Sequence, residues 1–262
     1  MPSLLVTFEP YVQPLRVPLA CQQMLQALIY HLLASDPAFS DHLHNQGESF
    51  HNRTYKLFTF GRLRGNRTLE GKQLSFEGET TLEIRALDAA LLQRVERELK
   101  LREVVLLNGQ PLLVRNTAIT LRTFIRPAVT AHMVTPLCVV RKTDEAGAIQ
   151  CLTPQDEAFF PLLQTNYEHK WAAAYPGRDA PPLSIRAEES AEWRKCVTAI
   201  KGSYLTAWYG KLELSGAVEA LQMLYDVGLG VKNAAGFGMF EVFERKIGGR
   251  TPGEASGDPD EA

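Results

Sequence analysis

The chain has 262 residues, of which 45% are hydrophobic and 22% are charged, and its formal net charge is −2. This composition is that of an ordinary globular protein, and the length suits two modest domains. No apolar run reaches the length of a membrane span, and the start MPSLLVTFEP lacks the basic and long apolar regions of a secretion signal, so we expect a cytoplasmic protein with no membrane partner.

The four cysteines show neither the C-x-x-C spacing of a zinc site nor the pattern of a disulfide framework: Cys21, Cys138, Cys151 and Cys196. We therefore expect buried free thiols. No cluster of Asp, Glu and His stands at metal-ligand spacing either. The sequence thus predicts no metal and no other cofactor.

In chain order, the first half predicts a mixture of strands and helices. Its elements are SLLVTFEP (strand, ended by Pro10), ACQQMLQALIYHLLA (helix, from its apolar spacing), PAFSDHLH (short helix, with Pro37 in its first turn), TYKLFTFGRL and TTLEIRAL (strands), DAALLQRVERELK (helix, capped by Asp88), REVVLLNG (strand) and QPLLVRNTAITLRTF (hairpin). The order β-α-β-β-α-β is that of a ferredoxin-like domain, which we assign to residues 1–127.

The second half repeats this order. Its elements are HMVTPLCVVRK (strand), PQDEAFFPLLQTNYEHKWAAAY (helix), RKCVTAIKGSYLTAWYGKLELSG (two strands around a Gly202-Ser203 turn), AVEALQMLYDVG (helix) and FGMFEVFERK (strand). The stretch YPGRDAPPLS is a Pro-rich connection within it. The predicted fold is therefore α+β, with a second ferredoxin-like (RRM-like) domain over residues 128–246 in tandem with the first.

Charge is unevenly distributed along the chain. The C-terminal GGRTPGEASGDPDEA is rich in Gly, Pro and acidic residues and cannot form a core, so residues 247–262 are predicted to be a disordered acidic tail. Residues 53–72 contain a single acid, Glu70, among the basic residues Arg53, Lys56, Arg62, Arg64, Arg67 and Lys72. Such a stripe is typical of a polyanion-binding surface, and a solvated arginine-rich loop is the alternative.

The segment DVGLGVKNAAGFGMFEV, residues 226–242, holds two Gly-hydrophobic-Gly triplets, at Gly228, Gly230, Gly236 and Gly238. A dinucleotide-binding loop needs G-x-G-x-x-G after a strand and before a helix, whereas these glycines follow a helix and precede a strand. A Walker-type phosphate loop is excluded as well, since no Ser or Thr follows Lys232. A helix C-cap at Gly228 explains the first triplet and leaves the second without a reason.

The stretch GLGVKNAAGFGMFEV resembles the glycine-rich motif of the repeat-RNA endoribonucleases of CRISPR systems, the Cas6 family. AWYGKLELSGAVEALQMLYDVG is similar to the strand and helix before that motif, and QALIYHLL, DHLHNQG and YKLFTFGRL are similar to the family's N-terminal blocks. The resemblance covers both halves and implies two ferredoxin-like domains side by side. It also explains the glycines, because backbone without side chains packs tightly beside the cleft between the domains and lets RNA approach.

Metal-free RNA cleavage needs a base for a ribose 2′-hydroxyl, a cation for the phosphate charge and a donor for the leaving 5′-oxygen. Histidine suits the base, and the chain has six: His31, His42, His44, His51, His132 and His169. The resemblance implies His44 as the base, Tyr30 near the scissile phosphate and Lys56 as the stabilising cation. From pattern alone, Tyr30 is equally a core aromatic and Lys56 a surface residue, while the segment NQGESFHNRT makes His51 the reserve base.

The resemblance therefore implies a metal-independent endoribonuclease that cuts precursor CRISPR RNA within its repeats and leaves 2′,3′-cyclic phosphate and 5′-hydroxyl ends. The alternative is a non-catalytic RNA-binding subunit of a CRISPR effector complex. Precursor repeat RNA is the expected partner, and effector-complex subunits and a second copy of the chain, in a homodimer, are further candidates. The residues expected to bind RNA are Arg53, Arg62, Arg64, Arg67, Arg122, Lys232, Gly228, Gly230, Gly236 and Gly238.

Overall fold

The computed structural model describes residues 2–34, 48–50, 53–124, 126–143, 149–200 and 203–243. The predicted helix PAFSDHLH, the histidines His42, His44 and His51, and the predicted tail 247–262 lie outside these ranges. Within the ranges, no helix has both the length and the apolar character needed to cross a membrane.

The described part of the first half contains one seven-stranded sheet, one separate two-stranded sheet and two helices. Its strands are β1 (Pro2–Pro10), β2 (Leu15–Pro18), β3 (Glu48–Phe50), β4 (Arg53–Tyr55), β5 (Phe58–Phe60), β6 (Arg64–Glu70), β7 (Gln73–Ala86), β8 (Val104–Leu107) and β9 (Gln110–Leu121), and its helices are α1 (Gln22–Leu33) and α2 (Ala89–Arg102). The large sheet runs β9-β1-β7 in antiparallel order, and β5 and β6 pair with the other edge of β7. The small sheet is formed by β3 and β4. This is the ferredoxin-like arrangement that the order of elements predicted.

The helices of the first half form where the apolar spacing predicted them, and their buried faces pack on the sheet. Val6 of β1, Ile29 of α1 and Leu92 of α2 belong to one fully buried core cluster. Asp88 caps α2 as predicted, because its Oδ1 accepts a hydrogen bond from the backbone N–H of Ala90 at 2.8 Å. The helical periodicity was therefore a sufficient guide to this core.

The second half has the same topology. Its strands are β10 (Ala128–Met133), β11 (Val140–Lys142), β12 (Ile149–Cys151), β13 (Leu183–Ala187), β14 (Arg194–Ile200), β15 (Ser203–Tyr209), β16 (Lys211–Gly216) and β17 (Phe240–Phe243), and its helices are α3 (Phe159–Ala174), α4 (Val218–Val227) and the short 3₁₀ turn Asn233–Ala235. The sheet runs β17-β10-β16-β13 in antiparallel order. The strands β11 with β12, and β14 with β15, form separate hairpins.

One strand assignment in the second half is wrong. The stretch RKCVTAIKGSYLTAWYGKLELSG forms three strands, β14, β15 and β16, and the first two stand apart from the main sheet. Besides β10, the strand that pairs with β16 is β13, whose first residues end the supposed Pro-rich connection. Gly210 separates β15 from β16, and a Cβ on it would lie 2.4 Å from the Trp193 ring. The sequence pattern did not reveal this strand boundary.

Three further predicted strands differ in their limits. QPLLVRNTAITLRTF is the single strand β9 rather than a hairpin, and the hairpin joins β8 to β9 through Asn108 and Gly109, both with positive φ. TYKLFTFGRL and HMVTPLCVVRK are each interrupted. In the first of these, the interruption falls at Lys56 and Leu57, and Leu57 has a φ of 38°. Lys56 therefore lies in a short link between two strands.

A buried arginine joins the two sheets. Arg85 of β7 is fully buried and donates to the backbone oxygen of Phe240 at 2.7 Å and to Glu241 Oε1 at 2.6 Å, both on β17. Its Nε donates to Glu83 Oε1 at 2.7 Å, and its guanidinium carbon lies 3.7 Å from the centre of the Tyr225 ring. The guanidinium is thus bonded in both halves at once.

We expect Arg85→Met to lower the free energy of unfolding by about 3–5 kcal/mol, because it leaves partly buried carboxylates without their cation. Arg64→Ala is the matched control: Arg64 approaches the same Glu241 at 3.5 Å, but its side chain is 52% exposed. This control should change stability by no more than about 0.5 kcal/mol. Equal effects of the two substitutions in urea denaturation would contradict the assigned role.

Candidate active site

The two halves face each other across a cleft of about 430 Å³. Its walls are residues 53–58 of the first half, α3 of the second, and the glycine-rich segment, defined as residues 228–238. Among the described residues, no Asp or Glu lines the cleft, whereas four basic side chains do: Arg53, Lys56, Lys170 and Lys232. A concave site with charge of one sign concentrates ions of the other sign, so the cleft favours an anion.

Lys56 lines the cleft from the short link between β4, which belongs to the small sheet with β3, and β5 of the large sheet. Its Nζ donates a hydrogen bond of 3.0 Å to the hydroxyl of Tyr30, in the last turn of α1. Burial raises the pKa of Tyr30 to about 12, so the phenol keeps its proton at neutral pH. The structure therefore brings Tyr30 and Lys56 together as a cation and a neutral hydroxyl.

The glycine-rich segment folds back on itself. The N–H of Leu229 donates to the oxygen of Gly238 at 2.8 Å, and the side-chain amide of Asn233 donates to the oxygens of Leu229 at 2.9 Å and Phe237 at 3.0 Å. All four motif glycines have φ between 65° and 81°. The segment is thus a closed loop whose backbone conformation favours glycine.

The same glycines lie in close contact with their surroundings. A Cβ on Gly238 would lie 1.9 Å from the oxygen of Leu229, and one on Gly230 would lie 2.3 Å from the oxygen of Cys138. A Cβ on Gly236 would lie 2.7 Å from the ring of Phe60, in the first half. The motif therefore permits close packing between the segment and both halves.

Gly238→Ala tests whether close packing or the backbone angle dominates. Gly71 is the matched control, because its φ is 64° but a Cβ on it would have no atom within 4 Å. We expect Gly71→Ala to cost about 1–2 kcal/mol from the left-handed conformation alone. Gly238→Ala should cost clearly more, since the clash is with backbone. Similar losses for the two variants in chemical denaturation would mean that the motif is only a permissive turn.

Lys170 of α3 binds the start of the glycine-rich segment through two hydrogen bonds. The side chain is buried, and its Nζ donates to the oxygens of Gly228 at 2.7 Å and Gly230 at 2.8 Å. Burial lowers the pKa of Lys170 to about 7, because the charged amine loses its hydration. A neutral amine still has two N–H bonds to donate, so the contact persists in both protonation states.

The lowered pKa of Lys170 predicts a pH dependence of stability. Between about pH 7 and its ordinary value of 10.5, the amine binds a proton in the unfolded chain and not in the folded one, so stability rises with pH. Below about pH 7 both states are protonated and this contribution is flat. We expect the free energy of unfolding of the wild type, minus that of Lys170→Met, to increase between pH 7 and pH 9 in urea titrations. Parallel pH profiles would contradict the buried-amine assignment.

The other predicted RNA-binding arginines lie apart from the cleft lining. Arg64 and Arg122 each approach a carboxylate oxygen of Glu241 at 3.5 Å. Arg62 lies over the ring of Tyr209, with its guanidinium carbon 5.1 Å from the ring centre. Arg67 is exposed on β6. Of the predicted binding side chains, the structure thus gathers only Arg53 and Lys232 around Lys56.

Helix α3 contributes groups that the sequence pattern did not single out. Asn166 and Lys170 line the cleft, and His169 Nδ1 lies 3.3 Å from the hydroxyl of Tyr55. The sequence did contain a signal: Asn166 and Lys170 follow the buried Leu163 at spacings of three and seven, which places polar groups on the apolar face of the helix.

Among the described residues, no three His, Cys, Asp or Glu side chains come close enough together to hold a metal ion.

The C-terminal half of the chain matches a family model. Residues 120–242 match the model described as CRISPR associated protein Cas6, C-terminal. Among curated proteins, the chain is similar to the CRISPR-associated endoribonuclease Cas6 of Pyrococcus furiosus, with 32% identity over 104 residues. These residues are 40% of this chain and span 37% of that relative.

Solved structures resemble nearly the whole chain. The product of a Cas6-related gene from Pyrococcus furiosus superposes with a TM-score of 0.79 at 16% identity, over 93% of this chain and 99% of that one. A Cas6 product complex superposes with a TM-score of 0.67 at 19% identity, over 93% and 100% of the two chains. At these identities the likeness establishes the fold, which is the predicted pair of ferredoxin-like units.

Proposed function

The chain belongs to the Cas6 family of CRISPR-associated proteins, and from this premise we propose that it is a metal-independent endoribonuclease that cuts precursor CRISPR RNA within its repeats. One observation carries the proposal: the hydrogen bond from Lys56 to Tyr30 lies beside a cleft lined by basic side chains. RNA is a polyanion, and phosphate contacts with such cations would hold a strand beside the reacting groups.

The proposed reaction is an in-line displacement within the RNA. The ribose 2′-oxygen forms a bond to phosphorus while the bond from phosphorus to the 5′-oxygen breaks. His44 accepts the proton of the 2′-hydroxyl and passes it to solvent, and the leaving 5′-oxygen takes up a proton from solvent. The products are a 2′,3′-cyclic phosphate and a 5′-hydroxyl. The role of His44 rests on the family resemblance of DHLHNQG, because this residue lies outside the described ranges.

Lys56 and Tyr30 have complementary tasks in this reaction. Charge increases on the phosphate oxygens in the transition state, and a preorganised cation such as Lys56 stabilises it more than it stabilises the ground state. The Tyr30 oxygen accepts from Lys56 Nζ, and in the RNA complex the phenol would donate its own O–H to the substrate. The raised pKa keeps that proton in place at neutral pH.

A non-catalytic RNA-binding subunit of an effector complex is the alternative function. It would use the same basic cleft and would have no need for a lysine bonded to a neutral phenol at its edge. Arg62, Arg64, Arg67 and Arg122 would extend RNA contact beyond the cleft in either case. A second copy of the chain, or effector subunits, would be further partners of the RNA-bound protein.

Cleavage of a labelled repeat RNA in EDTA tests the proposed function. Wild-type protein should cut at a single site under single-turnover conditions, because every proposed reacting group is a side chain. His44→Ala should slow this cut by about 10²–10⁴-fold, the usual contribution of a positioned general base. Its affinity for RNA with a 2′-deoxy at the cut site should stay unchanged, since a neutral imidazole adds little to phosphate attraction.

The controls in this assay separate catalysis from binding. Lys56→Ala should slow cleavage and slightly weaken the salt dependence of binding, whereas Lys100→Ala, which removes a lysine paired with Glu96 on α2, should change neither. His51→Ala should behave like the wild type. Activity that is lost in EDTA and restored by magnesium or manganese would overturn the mechanism. Tight binding without cleavage by the wild type would favour the binding-subunit alternative.

A further inference from the structure

Asn166 is an unpartnered polar group on the inner wall of the cleft. The residue is 9% exposed, it lines the cleft one helical turn before Lys170, and no hydrogen bond reaches its Oδ1 in the described part of the chain. A buried polar atom without a partner costs about 1–3 kcal/mol. An unpaired amide at this place therefore marks a site where a ligand group can complete the bonding.

The neighbouring polar groups of the cleft are already engaged by the protein. Lys56 donates to Tyr30, and Lys170 donates to two carbonyls of the glycine-rich segment. The amide of Gln26 donates to the oxygen of Ala234 at 2.8 Å. These bonds hold the walls in shape and leave the Asn166 acceptor to a molecule that enters the cleft.

The arrangement of polarity matches a nucleotide with its base directed inward. Arg53 and Lys232 are at the mouth of the cleft, where phosphates would remain, and Asn166 is buried further in. Apolar residues, among them Phe58 and Val231, also line the cleft. The volume of about 430 Å³ lies within the ~300–1,000 Å³ of pockets that enclose small ligands. One base fits such a site.

We propose that Asn166 selects an adenine of the bound RNA by hydrogen bonds from its side-chain amide to the base edge. The inference rests on the proposed function, because it takes RNA as the occupant of the cleft. An asparagine amide carries an acceptor and a donor side by side, and adenine presents the complementary pair in its N6 amine and N7. The free Oδ1 accepts from the amine, and the amide N–H donates to the ring nitrogen. Asn166 is thus a specificity-determining residue and takes no part in the cleavage step.

Binding of ten-nucleotide homopolymers, rA10 and rU10, tests this proposal by fluorescence anisotropy. Wild-type protein should prefer rA10, and Asn166→Leu should weaken rA10 binding by about 5- to 150-fold, the discrimination of one bidentate amide–adenine pair. The affinity for rU10 should stay nearly constant. Gln164→Leu is the matched control on the same helix, because Gln164 bonds Glu168 at 3.0 Å and is not part of the cleft lining. It should leave both affinities unchanged.

A second arm uses only the wild-type protein and so does not depend on the folding of a variant. An RNA of ten purine ribosides lacks the N6 amine but keeps N7, so it should bind the wild type more weakly than rA10 does. Equal affinity of the wild type for rA10 and rU10, or an adenine preference that survives Asn166→Leu, would overturn the proposal while leaving RNA binding intact. Failure of the wild type to bind either homopolymer and its own repeat RNA would instead overturn the proposed function itself.

Discussion

The glycine-rich segment lies where the two halves meet, and its backbone touches both because the motif residues carry no Cβ. Gly236 faces Phe60 of β5, and Gly230 faces the carbonyl of Cys138 just before β11. A side chain at either place would separate surfaces that are now in contact. The glycine-rich segment forms one wall of the cleft, so the shape of the candidate active site depends on the close packing of this backbone against both halves.

Two buried basic side chains stabilise the elements at this junction. Arg85 reaches from β7 to the backbone and side chain of β17, and Lys170 reaches from α3 to the start of the glycine-rich segment. Each bonds carbonyl oxygens of the chain, and such oxygens need partners when they are buried. The site is therefore assembled by polar contacts between distant parts of the chain, on top of two hydrophobic cores that are largely separate.

The sequence predicted the parts of the fold that depend on neighbouring residues, and it predicted poorly the parts that depend on residues far along the chain. Apolar spacing and the Asp88 cap located α1 and α2, and the order of elements predicted both ferredoxin-like units. The strand β13 begins within the Pro-rich stretch YPGRDAPPLS, so the sequence did not indicate it, and the residues of the hairpin β14–β15 were assigned as strands of the main sheet instead. Such errors arise because strand pairing depends on partners far along the chain. Likewise, the sequence places one carboxylate partner of Arg85, Glu83, two residues away, but it could not indicate the other, Glu241, which is 156 residues away.

The candidate site shows the same division. The resemblance brought forward Tyr30 and Lys56, which the structure joins by a hydrogen bond, and the basic stripe contained Arg53. The basic residues 53–72 did not indicate their individual partners. Arg64 contacts a carboxylate of the other half and Lys56 bonds a phenol, because the fold determines which side chains meet, whereas composition gives only the charge. Asn166 and Lys170 stood among apolar residues of α3 and looked like ordinary breaks in its pattern.

The two lysines Lys170 and Lys56 have different roles in the cleft because their surroundings differ. Lys170 is buried against carbonyl groups, so its pKa falls to about 7 and it acts mainly as a hydrogen-bond donor that shapes the wall. Lys56 is only partly buried and bonds a phenol that burial keeps neutral. A neutral partner does not cancel the charge of Lys56 through this contact, whereas a carboxylate in its place would. With no acid among the described residues of the lining, the cleft stays positive at the point where the two halves meet, and a phosphate group is the ligand charge that suits it.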